Sequence, residues 1–248
     1  MTYTATRFLY LWHDGRVTGF DFERARTPEA KRTRQEAILA AAARLATVHG
    51  VREVTASAIA DEVGMHKSAL LRYFETREDI FLQLAADAWE EWSVAVRGEL
   101  TGLLIGAAPP HWDRSTGRVA TVLAHSLVAR PLFCDLLAHT PLNLERNVSP
   151  DKVKAFKTRA IAVVADVSAT LCTVTPLRLD QARAVVATAT AMAGALWQMA
   201  APGTTLRALY ESEPALAHAV VDVEPRLTDI ISALLTGYAV RSSRPEPG

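Results

Sequence analysis

Cysteine is scarce in this chain. Cys134 and Cys172 are the only two among 248 residues, too few for a disulfide framework or a cysteine-based zinc site. Each reads as a small buried apolar residue rather than a redox switch. Excess charge is lacking too: 27 Lys and Arg balance 27 Asp and Glu, so no global basic field draws in polyanions. No run reads as a membrane span. Residues 184–201 carry no charge, but they are mostly alanine, include Thr188, Thr190 and Gln198, and lack aromatic or cationic belts. They read as a helix buried on several sides of a soluble bundle, where Ala189, Ala193 and Gly194 admit a close neighbour. The longest apolar run near the N-terminus, Phe8-Leu9-Tyr10-Leu11-Trp12, is too short for a secretory signal. A cytoplasmic chain with no membrane partner is expected. Strand patterns, internal repeats and low-complexity blocks are not found. Neither is a His-Glu-x-x-His helix, a Gly-x-Ser-x-Gly elbow, a phosphate-cradling glycine loop or a carboxylate cluster. No catalysis, cofactor or metal is therefore expected, and His111, His125 and His139 lack ligand spacing.

What the chain does have is apolar content, 50% of residues, and helical periodicity from end to end. The most informative stretch is 55–81. Thr55 is a helix cap, and Ile59, Ala60 and Val63 follow with the spacing of one apolar face. Gly64 stands where a helix ends in the left-handed conformation, which costs glycine little. Met65 points back to the core. A second helix fits from His66 or Lys67 to Phe74, with Leu70 and Phe74 inward and Lys67, Ser68, Arg72 and Tyr73 outward. Thr76 caps the next helix, and Asp79 three residues on completes a capping box. Upstream, Thr27-Pro28 opens a helix whose apolar positions are Ile38, Ala41, Ala42, Leu45 and Val48 and which Gly50 closes. Three helices, two of them joined by a tight glycine turn, make a helix-turn-helix, a unit that lays its second helix in the major groove of duplex DNA. The charge has the matching asymmetry: residues 24–77 hold ten Lys and Arg against six acids, which suits phosphate neutralisation.

The pattern in 33–82 resembles the DNA-binding domain of the tetracycline-repressor (TetR) family. The resemblance is carried by Ile59-Ala60, Val63-Gly64-Met65, Lys67-Ser68-Ala69-Leu70, Tyr73-Phe74 and Arg77-Glu78. It covers about a fifth of the chain. Two positions depart from the family: Leu71 stands where a tyrosine is usual, and Arg77 where a lysine is usual. Leu71 keeps an apolar contact but cannot donate a hydrogen bond, and arginine can grip a phosphate with two prongs. The resemblance implies an all-α fold, an N-terminal three-helix DNA-binding domain followed by a helical ligand-binding and dimerisation bundle. The expected division is an N-terminal arm at 1–26, the helix-turn-helix domain at 27–76, the ligand and dimer domain at 77–240 and a disordered tail at 241–248. The arm either tracks DNA through Arg24 and Arg26 or precedes the natural start site. DNA contacts are expected from Thr55, Ser57, His66, Lys67, Ser68, Ala69, Leu71, Arg72, Tyr73 and Arg77.

Beyond the motif, long helices are expected over 80–104, 115–129 and 150–172, a short one over 133–138, and a loop over 143–149. Asp180 caps the charge-free helix that ends at Pro202-Gly203. Short helices cover 204–221, and Pro225 opens a last helix to about Tyr238. In the family, the last two long helices pair with their copies in a second subunit. That implies a homodimer joined through Ala189, Ala193, Leu227, Ile230, Ile231 and Leu234. It also implies a pocket for a small apolar effector inside the bundle, with Trp92, Trp112, His125, Phe133, His139 and Trp197 as candidate lining. The function expected is a ligand-responsive homodimeric repressor on a palindromic operator. The alternatives are a helical enzyme or a DNA-binding scaffold without an effector.

Overall fold

The computed structural model describes residues 27–104 and 112–242. Among them there are ten α-helices and no strand: α1 Pro28–His49, α2 Ala56–Glu62, α3 Lys67–Leu70, α4 Arg77–Gly102, α5 Trp112–Val128, α6 Pro131–His139, α7 Pro150–Val174, α8 Leu179–Ala200, α9 Thr205–Ser212 and α10 Val223–Ser242. The expected arm, His111 and the end of the tail lie outside the described residues, as does the Trp112 side chain.

The first three helices form a small head. Thr27, Thr55 and Thr76 each accept a first-turn amide, from Ala30, Ala58 and Asp79, all at 3.1 Å. Each such cap stabilises its helix by about 1 kcal/mol. Gly64 (φ 65°) takes the left-handed backbone expected of it, and Gly50 (φ 82°), which closes α1 as expected, has a positive φ as well. At Gly64 the turn closes in two steps, with Met65 N–H on Ala60 O at 2.9 Å and Gly64 N–H on Asp61 O at 3.1 Å. Ile38, Val51, Ile59 and Leu70 are wholly buried between α1, α2, α3 and α4. Each contributes about 1.5–3 kcal/mol by leaving water.

The remaining helices form a bundle. α4 packs on α7 and α5, α6 on α8, and α10 lies against both α5 and α8. The core is continuous from the head into this bundle.

Several boundaries differ from expectation for local reasons. The stretch 143–149 is not a loop. Pro141 lacks the N–H that would continue α6, so the chain widens into a π-turn over Thr140–Leu144 and then a 3-10 turn over Glu145–Asn147. Asp180 is not the cap of α8; the cap is Arg178, two residues earlier, where Gln181 Oε1 accepts the Arg178 N–H at 2.9 Å and Asp180 pairs with the Arg178 side chain. Pro225 does not open α10. It sits inside the first turn, where no N–H is needed, and the helix runs on through Arg241, whose guanidinium stacks 4.9 Å from the Tyr238 ring. Arg241 and Ser242, expected in a disordered tail, thus belong to this helix, and 243–248 lie outside the described residues.

Candidate nucleic-acid interface

The recognition segment is a short helix that tightens as it ends. α3 covers Lys67–Leu70, and the chain then closes in i→i+3 and i→i+4 bonds: Leu71 to Lys67 O, Arg72 to Ala69 O, and Tyr73 and Phe74 to Leu70 O. The helix expected to reach Phe74 thus becomes tight turns after Leu70, along a similar path. Its sides are sharply divided. Leu70 is wholly buried and Phe74 nearly so. His66, Lys67, Ser68, Leu71 and Arg72 are exposed, and Ala69 and Tyr73 are half-buried. Leu71 leaves 42% of its surface in water, an exposed apolar group beside the cations. Thr55 and Ser57, in the first turn of α2, are exposed as well.

Arg77 behaves differently. Its side chain is only 15% exposed. The guanidinium donates to the carbonyls of Val51 and Val54 and to Glu78 Oε1, and it lies over the Phe81 ring at 4.6 Å. The expected phosphate contact is therefore an internal brace: its donors are taken by carbonyls that the turn after α1 leaves without a helical partner. Asp79 also departs from the expected capping box, because its Oδ2 accepts from the Glu75 N–H at 3.0 Å instead of the cap's own amide.

The exit of the recognition segment is tied to the bundle. Glu75 takes the N–H and hydroxyl of Ser149 at 3.2 and 3.0 Å, the Thr76 hydroxyl donates to Asn147 O at 3.1 Å, and Lys152 Nζ lies 3.0 Å from the buried Asp79.

A second tie involves two residues that sequence reasoning missed. Asp135, buried on α6, accepts the Val51 N–H at 2.7 Å through Oδ2 and the Gln198 amide at 2.8 Å through Oδ1, with His139 Nε2 at 3.4 Å. Burial pushes its pKa up, but the bonds from His139, the Val51 amide and Gln198 outweigh burial and hold it below the ordinary value. The signal available beforehand was a lone acid in an apolar helix, Leu132-Phe133-Cys134-Asp135-Leu136-Leu137.

The candidate effector residues do not converge on one cavity. Trp92 and Phe133 are buried in an aromatic cluster with Trp89: the two tryptophans meet edge to face at 5.7 Å, Trp89 and Phe133 at 5.4 Å. Trp92 donates to Ser126 Oγ at 2.9 Å. His125 is no part of that core, because its side chain is 59% exposed and pairs with Glu224 at 3.1 Å. His139 belongs to the Asp135 tie. Trp197 lines a surface cleft of about 480 Å³ with Thr204, Arg207 and Val221.

The expected dimer residues also need correction. Ala189, Ala193, Leu227 and Ile231 are wholly buried within one chain, since the stripe they form packs onto α5, α6 and the α8–α10 contact. A second copy cannot touch them. Ile230 and Leu234 are half-buried.

Two family profiles match this architecture. One, bacterial regulatory proteins of the tetR family, matches residues 38–84; the other, the tetracyclin repressor-like C-terminal domain, matches residues 86–242. The chain belongs to the TetR family. It is thus a transcriptional regulator of that family; dimerisation and repression are typical of TetR proteins, and catalysis in general is not. Three solved structures share the fold. A protein described as a TetR-family regulator from Streptomyces coelicolor A3(2) is 19% identical, with TM-score 0.54, over 85% of this chain and all (100%) of that one. Another from Mesorhizobium loti MAFF303099 is 14% identical, with TM-score 0.52, over 85% and 97%. FadR from Thermus thermophilus, a TetR-family repressor solved with lauroyl-CoA, is 17% identical, with TM-score 0.50, over 86% and 99%. No curated protein matches the sequence. Among the described residues, no single helix is long and apolar enough to cross a membrane, and no group of side chains is arranged to hold a metal.

Proposed function

We propose that this TetR-family chain is a cytoplasmic homodimeric repressor that lays residues 66–73 of each copy into successive major grooves of a palindromic operator. The observation that carries this reading is the exposure of Lys67, Ser68, Leu71 and Arg72 above a buried Leu70 and Phe74. Lys67 and Arg72 meet phosphates, Ser68 and His66 reach base edges, and Leu71 contacts a thymine methyl. Thr55 and Ser57 meet the backbone from the first turn of α2. Arg77 supports the head from inside and is left out of the contact set.

One short segment reads few bases, and a second copy one helical turn away supplies the missing affinity. The surfaces offered for pairing are the outer faces of the last long helices. On α8 these are Arg183, Ala187, Ala191 and Ala195; on α10 they are Asp229, Ala233, Gly237 and Val240, all exposed. Small side chains there let two helices approach closely. The effector is a small apolar molecule that opens the Trp89–Trp92–Phe133 cluster between α4, α5 and α6. For release, it must bind the off-DNA state better; a difference of about 3 kcal/mol lowers occupancy more than a hundredfold.

The test is selection of bound fragments from genomic DNA, followed by titration of the selected operator at several salt concentrations. Lys67→Ala and Arg72→Ala each remove one phosphate contact per copy, hence two per dimer, which lowers the slope of log affinity against log salt by about 1.8 and weakens binding to all sequences alike. Both variants binding with the slope of the unaltered protein overturns the docking.

A further inference from the structure

The turn between α1 and α2, residues 50–54, is held from two opposite chemical sides by the two bundle helices that touch it. From α6, Asp135 takes the Val51 N–H at 2.7 Å. From α4, Arg77 gives its Nη2 hydrogen to Val51 O and its Nε hydrogen to Val54 O. An anion thus holds a donor and a cation holds two acceptors of the same short backbone segment. Val51 is wholly buried and Val54 nearly so, so water does not compete for these groups. Gly50 adds to the fit: with φ 82° it turns the chain toward α6, and a Cβ there would stand 3.7 Å from Asp135 Oδ2.

Asp135 does not stand alone on its own side. Gln198, on α8, donates to its other oxygen at 2.8 Å. α6 and α8 touch nearby at backbone distance, because a Cβ on Gly194 would lie 2.7 Å from Ala138 N. Helix α8 is one of the two whose outer faces the repressor reading offers to a second copy. The chain of contacts from that face to the head is therefore Gln198, Asp135, Val51, while α4 reaches the same turn through Arg77.

From this geometry we infer that residues 50–54 are the joint by which the bundle sets the attitude of the head, and that Asp135 is its positioning residue. A shift of α6 against α4 pulls the Val51 N–H and the Val51 and Val54 carbonyls in different directions, and the turn must follow one helix or lose a bond. Sub-ångström changes become a reorientation of the head because charged hydrogen bonds are made or lost over such distances. The inference rests on the repressor reading above and adds to it the route of control.

Hydrogen exchange on the full-length protein tests it without DNA. In Asp135→Asn the Val51 N–H keeps at most a neutral amide oxygen in place of a carboxylate, and loses even that if the oxygen turns toward Gln198, so the charge-assisted hold on the turn is weakened either way. The expected result is exchange of the 50–54 amides faster by about tenfold or more, with the buried amides of α8 unchanged. Operator affinity falls about tenfold while the salt slope stays the same, because no phosphate contact is touched. Unchanged exchange at 50–54 overturns the inference, and so does an equal rise throughout α8, which is what a merely structural acid would give. Wild-type affinity in a variant whose turn has loosened overturns it too. If Asp135→Asn does not fold, Gln198→Ala replaces it, since that residue lies at the surface. Faster exchange confined to 50–54 then supports the joint, and none overturns it. Failure of the unaltered protein to bind any duplex sinks the repressor reading instead, and the exchange result still decides the joint.

Discussion

Two glycines in the bundle helices respond in opposite directions to the same substitution. Gly194 sits in α8 where α6 crosses it. A Cβ built there meets Ala138 N at 2.7 Å and both Ala138 Cα and Leu137 C at 3.1 Å. All three are backbone atoms, so no side chain can swing aside; the helices must part. Overpacking of this kind costs about 1–3 kcal/mol. Against it stands the better helix propensity of alanine, worth about 0.8–1 kcal/mol. The two together leave about 0–2 kcal/mol. Since the 2.7 Å contact is with backbone that cannot yield, the net loss expected for Gly194→Ala lies in the upper half, about 1–2 kcal/mol, which for a chain of this size lowers Tm by about 2–8 °C. Gly98, exposed in α4, has no neighbouring atom within 4 Å of its notional Cβ. Gly98→Ala gains the propensity alone and raises stability by up to about 1 kcal/mol. Thermal unfolding followed by circular dichroism reads both, at one fixed protein concentration because subunit association shifts Tm. A Gly194→Ala protein that melts at or above the unaltered one refutes the close crossing of α6 and α8.

Trp92→Phe removes the N–H bonded to Ser126 at 2.9 Å and leaves unfilled volume in the aromatic cluster; urea unfolding should show a loss of about 2–3 kcal/mol with little change in m, and a loss below 0.5 would contradict the packing described. The Asp135 carboxylate, held below its ordinary pKa, stabilises the fold above the unfolded value near ~3.9 and ceases to do so as pH falls through its folded pKa. The Tm gap between the unaltered protein and Asp135→Asn is therefore full at neutral pH and narrows below about pH 4; a gap that widens toward acid refutes the assignment. Burial pushes the Cys134 thiol up to about 12, so thiol reagents near neutral pH label it only when the fold opens; labelling as fast as that of a free thiol would contradict the buried position.

The head was legible because its signals are local. Thr27, Thr55 and Thr76 cap what they were expected to cap, Gly50 and Gly64 adopt positive φ, and Ile59, Leu70 and Phe74 lie inward. Each of these depends on neighbours within a few positions. The dimer face was not legible in the same way. The period of Leu227, Ile230, Ile231 and Leu234 identifies an apolar side of α10, but period says nothing about which helix covers it. In the fold α5 and α8 cover Leu227 and Ile231 completely, and the face left over is the one with Ala233 and Gly237. The candidate effector residues divide for a related reason: aromatic and histidine side chains mark cores and surfaces equally, and of the five described ones only Trp92 and Phe133 share one place.

Arg77 and Asp135 show why a charge pattern in one domain can mislead. Arg77 counts toward the basic balance of 24–77, yet it faces inward, because a turn between two helices strands carbonyls, and its guanidinium satisfies two of them together with the Glu78 carboxylate. The separations spanned are 26 residues from Arg77 to Val51, 84 from Asp135 to Val51 and 63 from Asp135 to Gln198. A contact that couples two domains has to join distant parts of the chain, or it could not transmit anything between them. It therefore leaves no periodic trace in either part. What it does leave is a local oddity: a buried acid in an apolar helix, and a cation at a helix start that already has acids to serve it. Such residues pay the desolvation of a charge where an apolar side chain would pack more cheaply, and that cost is the reason to look for what they hold.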